Sequence, residues 1–589
     1  MPRTTLALSS FVSGEFSAKL DGRTDFDKYN SGVKTMENFL VHPQGAATRR
    51  VGTQHIAEVK DSSKKTRLIP FEFSTTQTYI LEFGDQYMRV YKDKGQVLSG
   101  GSAFEISTPY LEAELFDIKF AQSADVLYLC HPNHDVRKLS RTGHTSWTLA
   151  TVSFSGSPSL PIAGADNRPS CVSFFEQRLV FANTNNNPQT LWFSKSGDYE
   201  NFTTGTNADD AMIYTIASNQ VNAIQYLKAV RTLIVGTSGG EFTVSADGTD
   251  ASITPTNVTI KRQSSFGSAN VDAIPAGNAI LFLQKAKRKI RELAYNFDSD
   301  GYVAPDLTIL NDTVTKSGIN EMSYQQEPDS IIWCVRDDGQ LVGLTYQRSE
   351  NVVAWHRHIF GGVFGSGDAV CESVASISGT LTEDEVWVII KRTINGATKR
   401  YIECFSDFDF DETLATDFKF LDSHLSYSGS SVSSLSGLSH LEGQTVSILA
   451  DGSVHADKVV SSGAISLDRS VTSACVGLSY DSVLQTMRIE GGAAEGTSQG
   501  KTKRISKVVL RLFETVGVKV GPSLTSLETV PFRTTSSSLS SPVDTLLAGD
   551  KEIEFRDDYN SDGFIFIKQD QPLPCSVLAI YPTLVTSDG

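Results

Sequence analysis

Apolar runs, each followed at once by a run in which polar and apolar positions alternate, recur along most of this chain. Tyr79-Ile-Leu-Glu-Phe-Gly84 is apolar at nearly every position, and across Asp85-Gln86 it is followed by Tyr87-Met-Arg-Val-Tyr91. The same pairing returns at Val126–Cys130 with Val136–Ser140, Leu179–Ala182 with Thr190–Ser194, and Leu233–Gly236 with Gly240–Val244. It returns again at Ile280–Leu283 with Lys289–Leu293, Ile331–Cys334 with Gln340–Leu344, and Val386–Ile389 with Arg400–Cys404. The first strands start 47 to 55 residues apart. A period near 50 with hairpin content predicts a β-propeller, in which each unit is too small to bury its own faces and must stack on its neighbours. Seven hairpins imply about six or seven blades. The first strand of each pair reads as covered on both faces, and the second, which carries Lys, Arg or Glu outward, as lying nearer the rim.

The rest of the chain frames that repeat. Residues 1–66 are polar with isolated apolar anchors such as Phe11, Phe16, Tyr29, Met36 and Phe39, and read as an arm laid over a preformed body. The propeller is expected over 67–406. Asp407-Phe-Asp-Phe-Asp-Glu412 and the Ser-rich tract Ser426 to Ser436 read as a linker over 407–436. Short alternating runs then predict a small antiparallel β domain over 437–500 and a C-terminal β domain over 501–589. The fold class is therefore all-β.

Composition is that of a globular protein, and the 589 residues suffice for two or three domains. No apolar run is long enough to span a membrane as a helix, and Met1 to Val12 lacks the apolar core of a signal peptide, so no membrane anchor is expected. Seven cysteines without a Cys-x-x-Cys pair read as reduced and structural. The formal charge of −16 disfavours a nucleic-acid-binding surface, since duplex binding needs cations on phosphates.

Candidate chemistry is weak throughout. Gly236-Thr-Ser-Gly-Gly240 fits a hydrolase elbow, yet Glu241-Phe-Thr-Val244 continues as a strand where the elbow requires a helix. Gly496-Thr-Ser-Gln-Gly-Lys-Thr502 is one residue short of a phosphate loop, with Glu495 where glycine belongs. Asp558-Tyr-Asn-Ser-Asp-Gly563 and Asn296-Phe-Asp-Ser-Asp-Gly301 begin like calcium loops but carry Gln569 and Leu307 at position twelve, so both read as Asp-Gly turns. His131, His134 and His144, and the pair His356 and His358, lack further ligands nearby in sequence. Ser245-Ala-Asp-Gly-Thr249 misses the sialidase turn pattern. Basic clusters at Arg49-Arg50, at Lys64-Lys65 with Arg67, and at Lys285 to Lys289 read as solvated faces. No catalytic, cofactor-binding or metal residue is assigned, and no cofactor.

One likeness covers most of the chain. Asn38-Phe-Leu-Val-His-Pro-Gln-Gly45, Arg49-Arg-Val-Gly-Thr53, Arg67-Leu-Ile-Pro-Phe71 and the Tyr79 to Tyr91 hairpin stand in the order of the tail-nozzle family (tail tubular protein B) of short-tailed bacteriophages, which this chain resembles. The resemblance continues through Phe174-Phe-Glu-Gln-Arg-Leu-Val180, Ser265-Phe-Gly267, Ala304-Pro-Asp-Leu-Thr308 and Gly437-Leu-Ser-His-Leu-Glu-Gly443. It implies a non-enzymatic virion protein, assembled in the host bacterial cytoplasm into a homohexameric ring of the phage tail. That ring would stack below an adaptor ring on the portal, meet fibres or spikes, and let viral DNA pass through its bore. Long members of the family carry further domains, and this chain is short, so the fibre-docking or tip function of those domains is not expected of it. Two other readings remain: a propeller that binds host receptor or glycan, and a glycan-cleaving propeller with carboxylates and arginines clustered at its central funnel.

Overall fold

In the computed structural model, residues 3–587 are described except 157, 218–219, 249–250, 380–382, 409–416, 492–496 and 533–545. Seven antiparallel sheets follow one another along the described chain. Blade 1 starts at Arg67–Ser74, Gln77–Gly84 and Tyr87–Lys92, and blades 2 to 6 are four-stranded over 119–151, 171–215, 224–264, 274–303 and 319–358. Blade 7 takes three strands from 370–405 and its fourth, Thr53–Glu58, from the other end of the chain.

The period-2 geometry of a strand explains why the apolar runs are apolar throughout. In blade 1, Tyr79, Leu81 and Phe83 face a core shared with Leu127 and Leu129 of blade 2, while Ile80 faces Trp387 and Ile389 of blade 7. Tyr128 and Cys130 then meet Leu179 and Phe181 of blade 3, whose Val180 and Ala182 meet Leu233 and Val235 of blade 4. Ile234 meets Ile280 and Phe282, Leu281 and Leu283 meet Ile332 and Cys334, and Trp333 meets Val386 and Val388. Every blade thus gives alternate side chains to its two neighbours, and the seventh interface closes on the first. This is a seven-bladed β-propeller. The expected hairpins are the second and third strands of each blade. The first strands lie innermost, where those of blades 2 and 3, 3 and 4, 5 and 6, 6 and 7, and 7 and 1 touch. All seven cysteines are free and buried.

Two extra domains grow from the propeller's edge. Beside Thr53–Glu58 the blade 7 sheet runs on into Asp422–Ser436, Ala464–Leu478, Thr445–Ala450 and Ser453–Val459, a small domain with its own core around Val446, Ile448 and Val476. The blade 6 sheet runs on through Gly14–Glu15 and Gly32–Glu37 to Ser482–Thr486, Phe566–Gln569 and Lys519–Ser523. This extension packs on a sheet in which Phe39–Val41, Ala47–Arg49, Ser576–Ser587, Thr502–Thr515 and Leu547–Glu554 are neighbours, around Met36, Phe39, Leu510 and Ile580.

Three sequence-based boundaries change. Residues 3–66 are woven into the sheets and not laid over them as an arm: Arg3–Thr5 pairs with the last described strand, and Thr53–Glu58 is a blade strand. Their polar side chains hide a role played by main-chain hydrogen bonds. The Ser-rich tract is a strand within Asp422–Ser436, paired with Ala464–Leu478, because serine is tolerated where one face is solvated. The small domain ends at Leu478, and Ser482–Thr486 belongs to the C-terminal domain. Of the acidic run, residues 409–412 lie outside the described ones.

Candidate functional site

The propeller axis is bridged by charge pairs between blades that are not neighbours. Lys119, opening blade 2, meets Asp272 at the start of blade 5 at 3.1 Å. Beside it Asn270 donates to Asp117 at 2.9 Å. Arg67, opening blade 1, reaches past blade 7 to Glu321 of blade 6 at 3.0 Å and also donates to the carbonyls of Leu115 and Ile118. Ser373 of blade 7 fills the gap, its hydroxyl donating to Glu321 at 2.6 Å. Burial pushes the Asp272 carboxyl up, but the charges of Lys119, Lys228 and Arg67 outweigh it and hold the group below its ordinary value. Carboxylates and an arginine do gather at the funnel, as a glycan-cleaving propeller would require. Here they are engaged with one another across the axis.

A second cluster joins the propeller to both extra domains. The Arg50 guanidinium grips the Asp422 carboxylate through two bonds of 2.8 and 2.7 Å, with both side chains fully buried. Arg50 also donates to Asn38 and lies 3.8 Å over the Tyr480 ring. The Thr53 hydroxyl donates to Glu403, which pairs with Arg392, and Asp422 takes the Gly361 amide. Arg49 is equally buried and donates to the carbonyls of Tyr480 and Leu573. Burial would push the Asp422 carboxyl up, yet Arg50 holds it below its ordinary value. The backbone must approach closely here: a Cβ at Gly52 would run into the Leu421 carbonyl. Arg49-Arg50 is therefore not a solvated face, contrary to its charge-run reading. Asn38, Arg49, Arg50, Gly52 and Thr53 all lie in the motifs that carry the phage resemblance.

Other sequence candidates resolve into structural roles. Ser238 sits in the two-residue turn between Leu233–Thr237 and Gly240–Ala246, on strands and not on a helix. In the 558–563 turn Asn560 caps the amides of Asp562 and Gly563, and Asp562 pairs with Arg488. In the 296–301 turn Asn296 caps Ser299, and Asp300 accepts from Tyr295. Residues 495, 496 and 249 lie outside the described ones. Lys64 pairs with Asp85, Lys289 with Asp306, and Lys287 donates to Asn320. His144 Nδ1 bonds the Tyr79 hydroxyl, and His356 and His358 bond each other at 2.7 Å in blade 6.

His131 and His134 gain a partner the sequence did not offer. Glu114, from the short helix Glu112–Asp117, brings its carboxylate within 4.8 Å of both rings. Its oxygen bonds His134 Nε2 at 2.8 Å. Burial pushes Glu114 up, but bonds from Leu111, His134 and Asn133 hold it at about 2. The Asn133 amide donates to His131 Nδ1 at 3.1 Å, so the neutral ring carries its proton on Nε2, which then has no lone pair for a metal. The trio clamps the helix to blade 2.

No protein-family model matches the chain, and no curated protein matches it. Solved structures similar to it are propellers. The Cps50 (Swd1) β-propeller domain of Myceliophteria thermophila aligns at 9% identity and a TM-score of 0.37, covering 60% of this chain and 100% of that one. The RRP9 WD40 repeats align at 8% identity and 0.38, covering 61% and 100%. YCF48 bound to D1 peptide aligns at 11% and 0.34, covering 64% and 99%.

The axial pairs and the Arg50–Asp422 grip escaped the sequence reading because their members lie up to 372 residues apart. The early signal was the Arg49-Arg50 doublet, read as a solvated face in a segment taken for an arm.

Proposed function

We propose that this chain is a structural virion protein, the nozzle ring of a short phage tail, and not an enzyme. The observation that carries the reading is how the motif residues are used. Asn38, Arg49, Arg50 and Thr53, which carry the resemblance, tie the Arg357 carbonyl of blade 6, Glu403 of blade 7, Asp422 of the small domain and the Leu573 carbonyl of the C-terminal domain into one buried node. Continuous sheets run from blades 6 and 7 into the extra domains. Such a body suits a part that must transmit force without bending at its domain joints.

The conduit in this reading is not the propeller's own axis. Touching first strands and the Lys119–Asp272 bridge leave no room for a duplex there. DNA would pass along the axis of the ring, between six copies, and acidic side chains facing it would repel the phosphate backbone and lower friction. Partners are the adaptor ring above and fibres or spikes outside; the location is the virion.

Absolute mass by light scattering tests this, for the chain alone and mixed with the matching adaptor-ring protein. The expected result is a six-copy ring, or a monomer that forms a six-copy collar on the adaptor. A trimer, or a monomer that ignores the adaptor, overturns it.

A further inference from the structure

A cleft of about 860 Å³ opens between blades 4 and 5, away from the axis and the buried node. Ile234, Ile280 and Leu293 form its floor. Tyr295 and Tyr302 stand edge to face at 5.8 Å in its wall, and Tyr295 is 49% exposed. Phe297, two residues further on in the turn of the same hairpin, is 87% exposed. The rim is cationic. Arg231, itself already engaged, Lys261, Arg262 and Arg348 line it against one carboxylate among the described lining residues, Asp300, which already accepts from the Tyr295 hydroxyl at 2.6 Å. Arg348 is paired with Glu292, and Arg262 donates to the Gly239 and Ser264 carbonyls. The Lys261 ammonium is exposed with no partner among the described residues. Gln263 donates to Thr243 at 2.7 Å, which leaves its own carbonyl oxygen open to a hydroxyl donor.

A positive cleft on a chain of net charge −16 is a local exception. The geometry points to a binding site for a carboxylated oligosaccharide. Tyrosine rings receive the C–H faces of sugar rings, the Gln263 carbonyl and the Asn278 side chain match hydroxyls, and Lys261 matches a carboxylate by a charge-assisted bond. The volume lies in the range of ligand sites that hold a few rings. A dense polyanion fits worse. Nucleic acid presents a charge at every phosphate and feels the whole protein's repulsion, whereas a sparsely charged sugar feels chiefly the local cations. This inference does not rest on the nozzle reading.

Titration calorimetry on the full chain tests it with three probes: trigalacturonate, a hyaluronan tetrasaccharide and sialyllactose, each beside its methyl-ester form, and oligothymidylate as the competing class. At least one acidic sugar is expected to bind, its ester at least tenfold more weakly. Lys261→Glu and Tyr295→Ala, both at exposed positions, are expected to weaken that binding tenfold or more, while Lys507→Glu on the C-terminal sheet leaves it unchanged. Circular dichroism and unchanged melting confirm that each variant is folded. Binding by none of the three sugars, binding that the two cleft variants leave intact, or tighter binding of oligothymidylate at this cleft overturns the inference.

Discussion

Single residues hold the domains of this protein together. Arg50 and Asp422 have no water to fall back on, so removing one charge leaves the other buried and uncompensated, at a cost of about 3–5 kcal/mol. Asp422→Asn is expected to lower the denaturant midpoint accordingly, and an unchanged midpoint would show that the grip is not what secures the node. Histidines around the same region set a pH limit. Burial holds His356 and His424 at about 3, and His55 and His358 also well below their ordinary value. An unfolded chain takes up protons on these rings below about pH 6.5 while the folded chain does not. Stability is therefore full above that pH and falls as pH drops towards 3, by about 1.4 kcal/mol per pH unit for each such ring. Glu15, Glu82, Glu241, Glu385 and Asp557 are pushed up by burial and oppose this between their raised values and about 4, where the folded chain takes up their protons first; with His131 and His440 also held low, six histidines outnumber these five carboxyls. Thermal melts from pH 7.5 to 5 should show the midpoint falling on acidification; a rising midpoint would contradict the assignment.

Among elements, the decisive one is Thr53–Glu58. It is the outer strand of blade 7 and lies a few residues before the inner strand of blade 1, so the ring is sealed by joining distant parts of one chain. Gln54 lies directly opposite Cys404, a buried thiol, on the adjoining strand. Paired positions on antiparallel strands bring Cβ atoms to about 4.5–5.5 Å, near disulfide range. Gln54→Cys is expected to form a disulfide with Cys404 under mild oxidation, seen in a non-reducing peptide map, and to raise the melting midpoint. Failure to cross-link these two positions would place the sealing strand elsewhere. The stretch of sequence that supplies this strand reads as an arm, because Gln54, His55 and Glu58 stand there without an apolar stripe. Edge strands of a blade are held by main-chain hydrogen bonds and one covered face, and composition records neither.

At the scale of the whole molecule, the closed axis and the continuous sheets separate two ideas that the word conduit merges. The propeller is a rigid block whose centre is bridged by Lys119–Asp272 and Arg67–Glu321. Any passage for DNA belongs to an assembly of such blocks. The light-scattering test therefore bears on function directly: a chain that never forms a ring has no bore. The cleft between blades 4 and 5 sits off the axis, so a ring and a sugar site are compatible in one molecule.

What the sequence determined by itself was the repeat. Runs such as Tyr79–Gly84 and Ile280–Leu283 must be covered on both faces, and a step of 47 to 55 residues leaves only stacking on like units to cover them. The absence of an elbow helix after Ser238 and the turn character of 558–563 were legible for the same local reason. Tertiary structure alone decided how the ring closes, where the small domain begins, and which charges meet. Inner strands such as Lys119–Ser123 carry polar side chains towards the axis and so lack an apolar signature. Arg50 and Asp422, or Glu114 and His134, are chosen by three-dimensional proximity. Local periodicity reports which faces are buried; it carries no information about which distant partner buries them.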